Sequence, residues 1–140
     1  MRRLNFATAI LILVGSATSA QGQFTSWTDP VSGDWLDALR WTAGIPGPGS
    51  NVFITAQGSD YVSTISSAFS IERMFLNRQN ATLRIAQGGN LSLGVGASMG
   101  SGMLLREGGQ ISGGVIADST PTSLKFSSST ANVLDGVTIE

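Results

Sequence analysis

Cysteine and histidine are both absent from the 140 residues. Without cysteine there is no disulfide, no thiolate nucleophile and no lipid-modified cysteine to anchor an exported chain. Without histidine the commonest general base and metal ligand is missing. Charge is scarce as well: Asp, Glu, Lys and Arg make up 12% of the chain, about half the usual globular share. A net charge of -1 does not supply the clustered basic surface that phosphate binding needs, which argues against nucleic acid as a partner. Glycine, at 18 residues, is plentiful, and so are Ser and Thr. That composition suits short β-strands and tight turns and offers little material for solvated helices.

The only long apolar run, Phe6 to Val14, is far shorter than the roughly 20 residues of a membrane span. Arg2 and Arg3 precede it and small residues follow from Gly15 to Ala20. This is the order of a secretory signal peptide, predicted to be cleaved after Ala20. Removing both arginines from eight basic and nine acidic residues leaves six against nine, or -3, for the mature chain. Export, with no membrane span after cleavage, is the expectation.

One stretch is written twice. Thr82-Leu83-Arg84-Ile85-Ala86-Gln87-Gly88-Gly89-Asn90-Leu91 is followed by Gly102-Met103-Leu104-Leu105-Arg106-Glu107-Gly108-Gly109-Gln110-Ile111. Ser92 and Val95 recur as Ser112 and Val115. A period of about 20 residues is the mark of a solenoid, whose repeats bury their apolar faces on one another. Upstream, Ile65, Ile71 and Phe75 fall at the same spacing. Met74 and Leu76 sit in the opposite alternation phase, so a bulge or corner is expected between the two sets. Downstream, Leu124, Phe126, Val137 and Ile139 continue the pattern at 21 to 22 residues, with an insertion near Asp118-Ser119-Thr120-Pro121.

Apolar residues recur at every second position, as at Leu83/Ile85 and Leu91/Leu93/Val95, which places them on one face of a strand. The spacing predicts an all-β, right-handed parallel β-helix of about three to four coils of ~20 residues. Parallel stacking sets equivalent residues about 4.8 Å apart, so Ile85, Leu105 and Phe126 are expected to form an internal ladder. Arg84 and Arg106 are expected on the outer surface, and Asn90 and Gln110 as a stacked amide pair.

Three segments follow: a signal peptide over 1–20, a Trp/Pro/Gly-rich N-terminal cap over 21–55, and solenoid repeats over 56–140. The cap holds Trp27, Trp35 and Trp41, with one helical turn conceivable between Asp34 and Arg40. Exposed tryptophan faces stack on sugars, so these three are the candidate carbohydrate-binding residues. A hydrophobic plug over the open end of the solenoid is the preferred reading of the same residues, because an uncapped end exposes core and strand edges.

No catalytic, cofactor or metal site is expected. Only Asp34 and Asp37 are close in sequence, and Glu107 aligns with Gln87, so no acidic ladder runs along the coils. The Gly-Gly pairs lack the aspartates of a calcium-binding nonapeptide repeat. Gly94-Val95-Gly96 is read as a strand corner rather than a nucleotide loop, since no helical pattern follows it.

The order Ser26-Trp27, Asp34-Trp35, Arg40-Trp41, then Ile45-Pro46-Gly47-Pro48-Gly49-Ser50-Asn51-Val52-Phe53-Ile54, resembles the opening of large secreted bacterial repeat proteins. These are autotransporter-like and PEP-CTERM-type exported proteins whose passenger region is a β-helix. The resemblance implies extracellular or cell-surface placement in a bacterium and a structural or adhesive role, with no shared active-site residues. The sequence departs from that family in stopping at Glu140 with neither a translocator barrel nor a sorting helix, so a short member and a fragment of a longer chain are both carried forward. Three functions are carried forward: a non-catalytic structural or adhesive protein, a polysaccharide-binding module using the cap tryptophans, and a polysaccharide lyase or hydrolase. The partners implied are extracellular polysaccharide, or self-association through the open solenoid end.

Overall fold

The structure, a computed structural model, describes residues 22–119 and 123–140. The signal-peptide reading over 1–20 lies outside them, as does part of the turn at Thr120-Pro121.

Among the described residues thirteen short strands form: β1 (Phe24–Ser26), β2 (Gly33–Asp34), β3 (Asn51–Ile54), β4 (Tyr61–Ile65), β5 (Ala68–Leu76), β6 (Ala81–Ala86), β7 (Asn90–Met99), β8 (Met103–Glu107), β9 (Gln110–Ser112), β10 (Val115–Asp118), β11 (Leu124–Phe126), β12 (Val133–Asp135) and β13 (Thr138–Ile139). The one helical element among the described residues is a single 3-10 turn, Ala38–Arg40, capped by the Asp37 carboxylate, which accepts from Leu39 N at 3.1 Å. Among the described residues no helix is long and apolar enough to cross a membrane.

Among the described residues every ladder between these strands is parallel and joins strands one coil apart; two isolated bridges, Trp27 to Trp41 and Ala86 to Gly108, are antiparallel. One sheet runs β2-β4-β6-β8-β11; the other runs β1-β3-β5-β7-β10-β13, with β9 and β12 stacked beside the first half of β7. The chain is a parallel β-solenoid of about 4 turns, with coils about 22 residues apart. The pairings explain why the period drifts: Ile65 meets Ile85 after 20 residues, Leu83 meets Leu104 after 21, and Ile71 meets Leu93 after 22.

The expected corner lies between Ile71 and Arg73, where the β5–β7 register shifts by one residue. Before it, Phe69 and Ile71 point inward; after it, Met74 and Leu76 do. One long strand therefore serves two faces of the coil, because the extra residue in β7 restores the inward phase after the bend. Gly94-Val95-Gly96 is that corner in the next coil.

The doubled Gly-Gly pair is a turn used twice. Gly88 and Gly108 have φ of 86° and 82°, a left-handed conformation that glycine takes without steric cost. Gly89 and Gly109 are needed for closeness: a Cβ on Gly89 would stand 2.4 Å from the Ile65 carbonyl oxygen, and one on Gly109 2.2 Å from an Ile85 methyl.

Four corrections to the sequence reading follow from the pairing. β8 reaches its Gly-Gly turn one residue sooner than β6, so Ile85 pairs with Arg106, and Leu105 pairs with Arg84. The column is therefore Ile65–Ile85–Arg106–Phe126, not one through Leu105; Arg106 is 1% exposed rather than on the surface, and Phe126, expected inside, is 50% exposed. Phe75 does not stack on Val95: it pairs with Ser98 on the outer face, and Gly96 rather than Val95 meets Val115. At the far end Val115 pairs with Thr138, one position beyond Val137. Asn90 and Gln110 share register, but the Asn90 amide oxygen is buried without a partner. The side-chain pair that forms between these coils is Ser92 Oγ to Ser112 Oγ, at 2.8 Å.

Candidate functional site

The cap tryptophans come together but turn inward. Trp27, Trp35 and Trp41 are 2%, 0% and 5% exposed. Trp41 meets Trp27 and Trp35 edge-on at 5.0 and 5.2 Å between ring centres, and Trp35 meets Phe69 at 5.3 Å. Each indole N–H donates locally: Trp27 to Val31 O, Trp35 to Ser63 Oγ and Trp41 to Trp35 O. Buried rings with paired N–H groups are the usual state of core tryptophan. With β1 laid on β3 and β2 on β4, these residues cover the edges of both sheets, and no ring face is left for a sugar.

Three surface recesses open among the described residues; one lies at the turns around Gln57, Arg78 and Ser101, and two lie on the sheet faces where side chains converge. On the β2-β4-β6-β8 sheet, Asp34, Thr64, Thr82, Arg84 and Glu107 border a shallow depression of about 690 Å³. Its acids are already engaged. Arg84 Nε donates to Glu107 Oε2 at 2.5 Å, and Asp34 accepts from Leu36 N at 2.9 Å and Ser66 Oγ at 2.5 Å. Asp37, the other sequence-adjacent acid, caps the 3-10 turn and pairs with Arg40 at 3.3 Å. Among the described residues no three acidic side chains gather as metal ligands would.

The second recess lies on the opposite sheet and begins with an aromatic stack. Outward positions Phe53 and Phe75 are in register, their rings 4.8 Å apart and 8° from parallel, and Phe24 extends the stack at 6.3 Å. The next coils put Ser98 and then Ala117 at that position. The neighbouring outward column runs Arg73–Gly96–Val115. Both columns thus step from large to small at β7. The step opens a groove of about 300 Å³ lined by Arg73, Phe75, Gly96, Ser98, Val115 and Glu140. Its floor at Gly96 must be bare backbone, since a Cβ there would lie 2.1 Å from the Val115 carbonyl oxygen. Sequence reasoning passed over this groove because Phe53 and Phe75 look like core residues until the corner assigns them to the outside.

Arg106 is the other feature missed. Its guanidinium donates to Gly109 O at 2.8 Å and lies 5.2 Å from the centre of the Phe126 ring, while Nε has no partner. Burial alone pulls its pKa below the usual arginine value. A desolvated cation without a carboxylate is costly, and buried ions are often replaced by apolar residues at no loss. Arg106→Met is therefore expected to leave stability unchanged or raise it by up to about 2 kcal/mol. Urea unfolding decides this; a loss above about 1 kcal/mol would show that the guanidinium's contacts outweigh its desolvation.

No family model, curated protein or solved structure matches the chain.

Proposed function

We propose that this chain is an exported, non-catalytic structural or adhesive β-solenoid with a tryptophan-rich cap, secreted or displayed on a bacterial surface, of the autotransporter-like or PEP-CTERM-like kind. The observation that carries the reading is where the recurring positions go. Column after column is given to stacking: Val52–Met74–Ala97–Ile116 and Ser63–Leu83–Leu104 inside, glycine turns at the coil ends, and the serine pair between coils. Such a chain makes a stiff spacer whose outer faces present side chains at the coil repeat. Signal-peptide features before residue 21 and the lack of cysteine and histidine fit an exported scaffold without redox or acid–base duties.

Expression with its own leader in a Gram-negative host tests the export half. The expected product begins at Gln21 and is recovered outside the cytoplasm; a cytoplasmic product with Met1 retained would overturn export. The purified chain on beads is expected to retain bacterial cells or extracellular matrix above an albumin control. Equal retention would remove the adhesive half.

A further inference from the structure

We infer that the groove beside Phe75 binds a neutral saccharide chain, with the Phe75 ring as its stacking platform. The inference rests on the adhesive reading for its setting and adds the class of ligand. Phe75 is stacked on one face by Phe53; across its other side the register places Ser98 and then Ala117, not a ring. An aromatic face is electron-rich, and the C–H groups of a pyranose are the complementary partner for it. Sugar hydroxyls both donate and accept, and the rim offers both: the exposed Arg73 guanidinium and Ser98 hydroxyl as donors, the exposed Glu140 carboxylate and the same hydroxyl as acceptors.

The opposed charges at the rim favour a neutral ligand over an anionic one. The volume, about 300 Å³, falls at the small end of ligand sites and suits a short stretch of a chain lying across the sheet. A peptide is disfavoured by the backbone: β5, β7 and β10 are each paired on both sides, so no strand edge is open for a peptide to extend. The groove is also preformed, its floor being the Gly96 backbone packed directly on Val115 between strands paired on both sides, and a preformed site loses less on binding.

The test titrates the full chain with neutral hexasaccharides of β-1,4-linked glucose and of β-1,4-linked N-acetylglucosamine, and with hexagalacturonate as the charged control, by calorimetry and amide NMR shifts. At least one neutral oligosaccharide is expected to bind and to shift the Gly96, Ser98 and Ala117 amides. Phe75→Ala is expected to weaken it about tenfold or more, Phe75→Trp to preserve it, and Phe24→Ala to change it less than about twofold. Ser98→Leu, which fills the groove against the free side of the Phe75 ring and keeps both members of the Phe53–Phe75 stack, is expected to abolish binding and covers the case in which Phe75→Ala fails to fold. No binding by either neutral probe, binding that survives both Phe75→Ala and Ser98→Leu, or preference for hexagalacturonate would overturn the proposal. Beads that retain cells equally with the wild type and the Ser98→Leu chain would sink the groove and leave the adhesive reading standing.

Discussion

Trp35→Ala is expected to lower the unfolding free energy by about 3–5 kcal/mol, the usual cost of emptying a fully buried aromatic site. Trp35 is 0% exposed and touches both Trp41 and Phe69, so its loss leaves a void that two other rings border. It also strands the buried Ser63 hydroxyl, which now accepts from the indole N–H at 2.6 Å. The backbone amide of Trp35 donates to Thr64 O at 2.9 Å, which holds β2 on the edge of β4. Loosening the cap therefore uncovers that edge and should promote aggregation as well as unfolding. Thermal melts should show a midpoint lower by roughly 10–20 °C, with Trp35→Phe intermediate. A Trp35→Ala midpoint within about 3 °C of the wild type would mean that the tryptophans do not cap the solenoid.

Leu76→Asp is expected to cost about 3–5 kcal/mol at neutral pH, enough to unfold much of a marginally stable chain. Leu76 is 0% exposed in the column Ile54–Leu76–Met99, and a carboxylate there meets no cation. Burial would raise that carboxyl's pKa above its unfolded value. The folded state would then bind more protons than the unfolded one, so stability should fall as pH rises through the carboxylate range and return on acidification. Leu104→Asp makes the informative contrast. Leu104 is equally buried, but it stands two residues from Arg106 on the same inward face of β8, where the unmatched guanidinium offers a counter-ion. Its loss should be clearly smaller than that of Leu76→Asp, and Arg106→Met should remove the difference. Urea midpoints of the three variants and the double mutant measure this coupling. Equal losses at 76 and 104 would show that the Arg106 charge does not reach the ladder.

A solenoid of parallel strands was readable from the linear chain because its determinants are local and repeated. The Gly88-Gly89 and Gly108-Gly109 turns and the phase reversal near Ile71 reappear in the structure, the last as the corner in β5. The every-second-residue apolar pattern holds only in part: Val95 is exposed at the corner, and Leu104 rather than Met103 lies in register with Leu83. Composition alone removed cysteine and histidine chemistry. What the sequence could not decide was register. Strand side chains alternate with a period of two, so one residue fewer before the second Gly-Gly turn exchanges inside for outside, and that difference put Arg106 rather than Leu105 beneath Ile85. The same dependence sent Phe53 and Phe75 outward and turned the three tryptophans inward. Which ring is buried and which faces outward follows from long-range pairing between coils. In this chain that pairing buries the three cap tryptophans and leaves Phe24, Phe53 and Phe75 as the aromatic stack on the outer face.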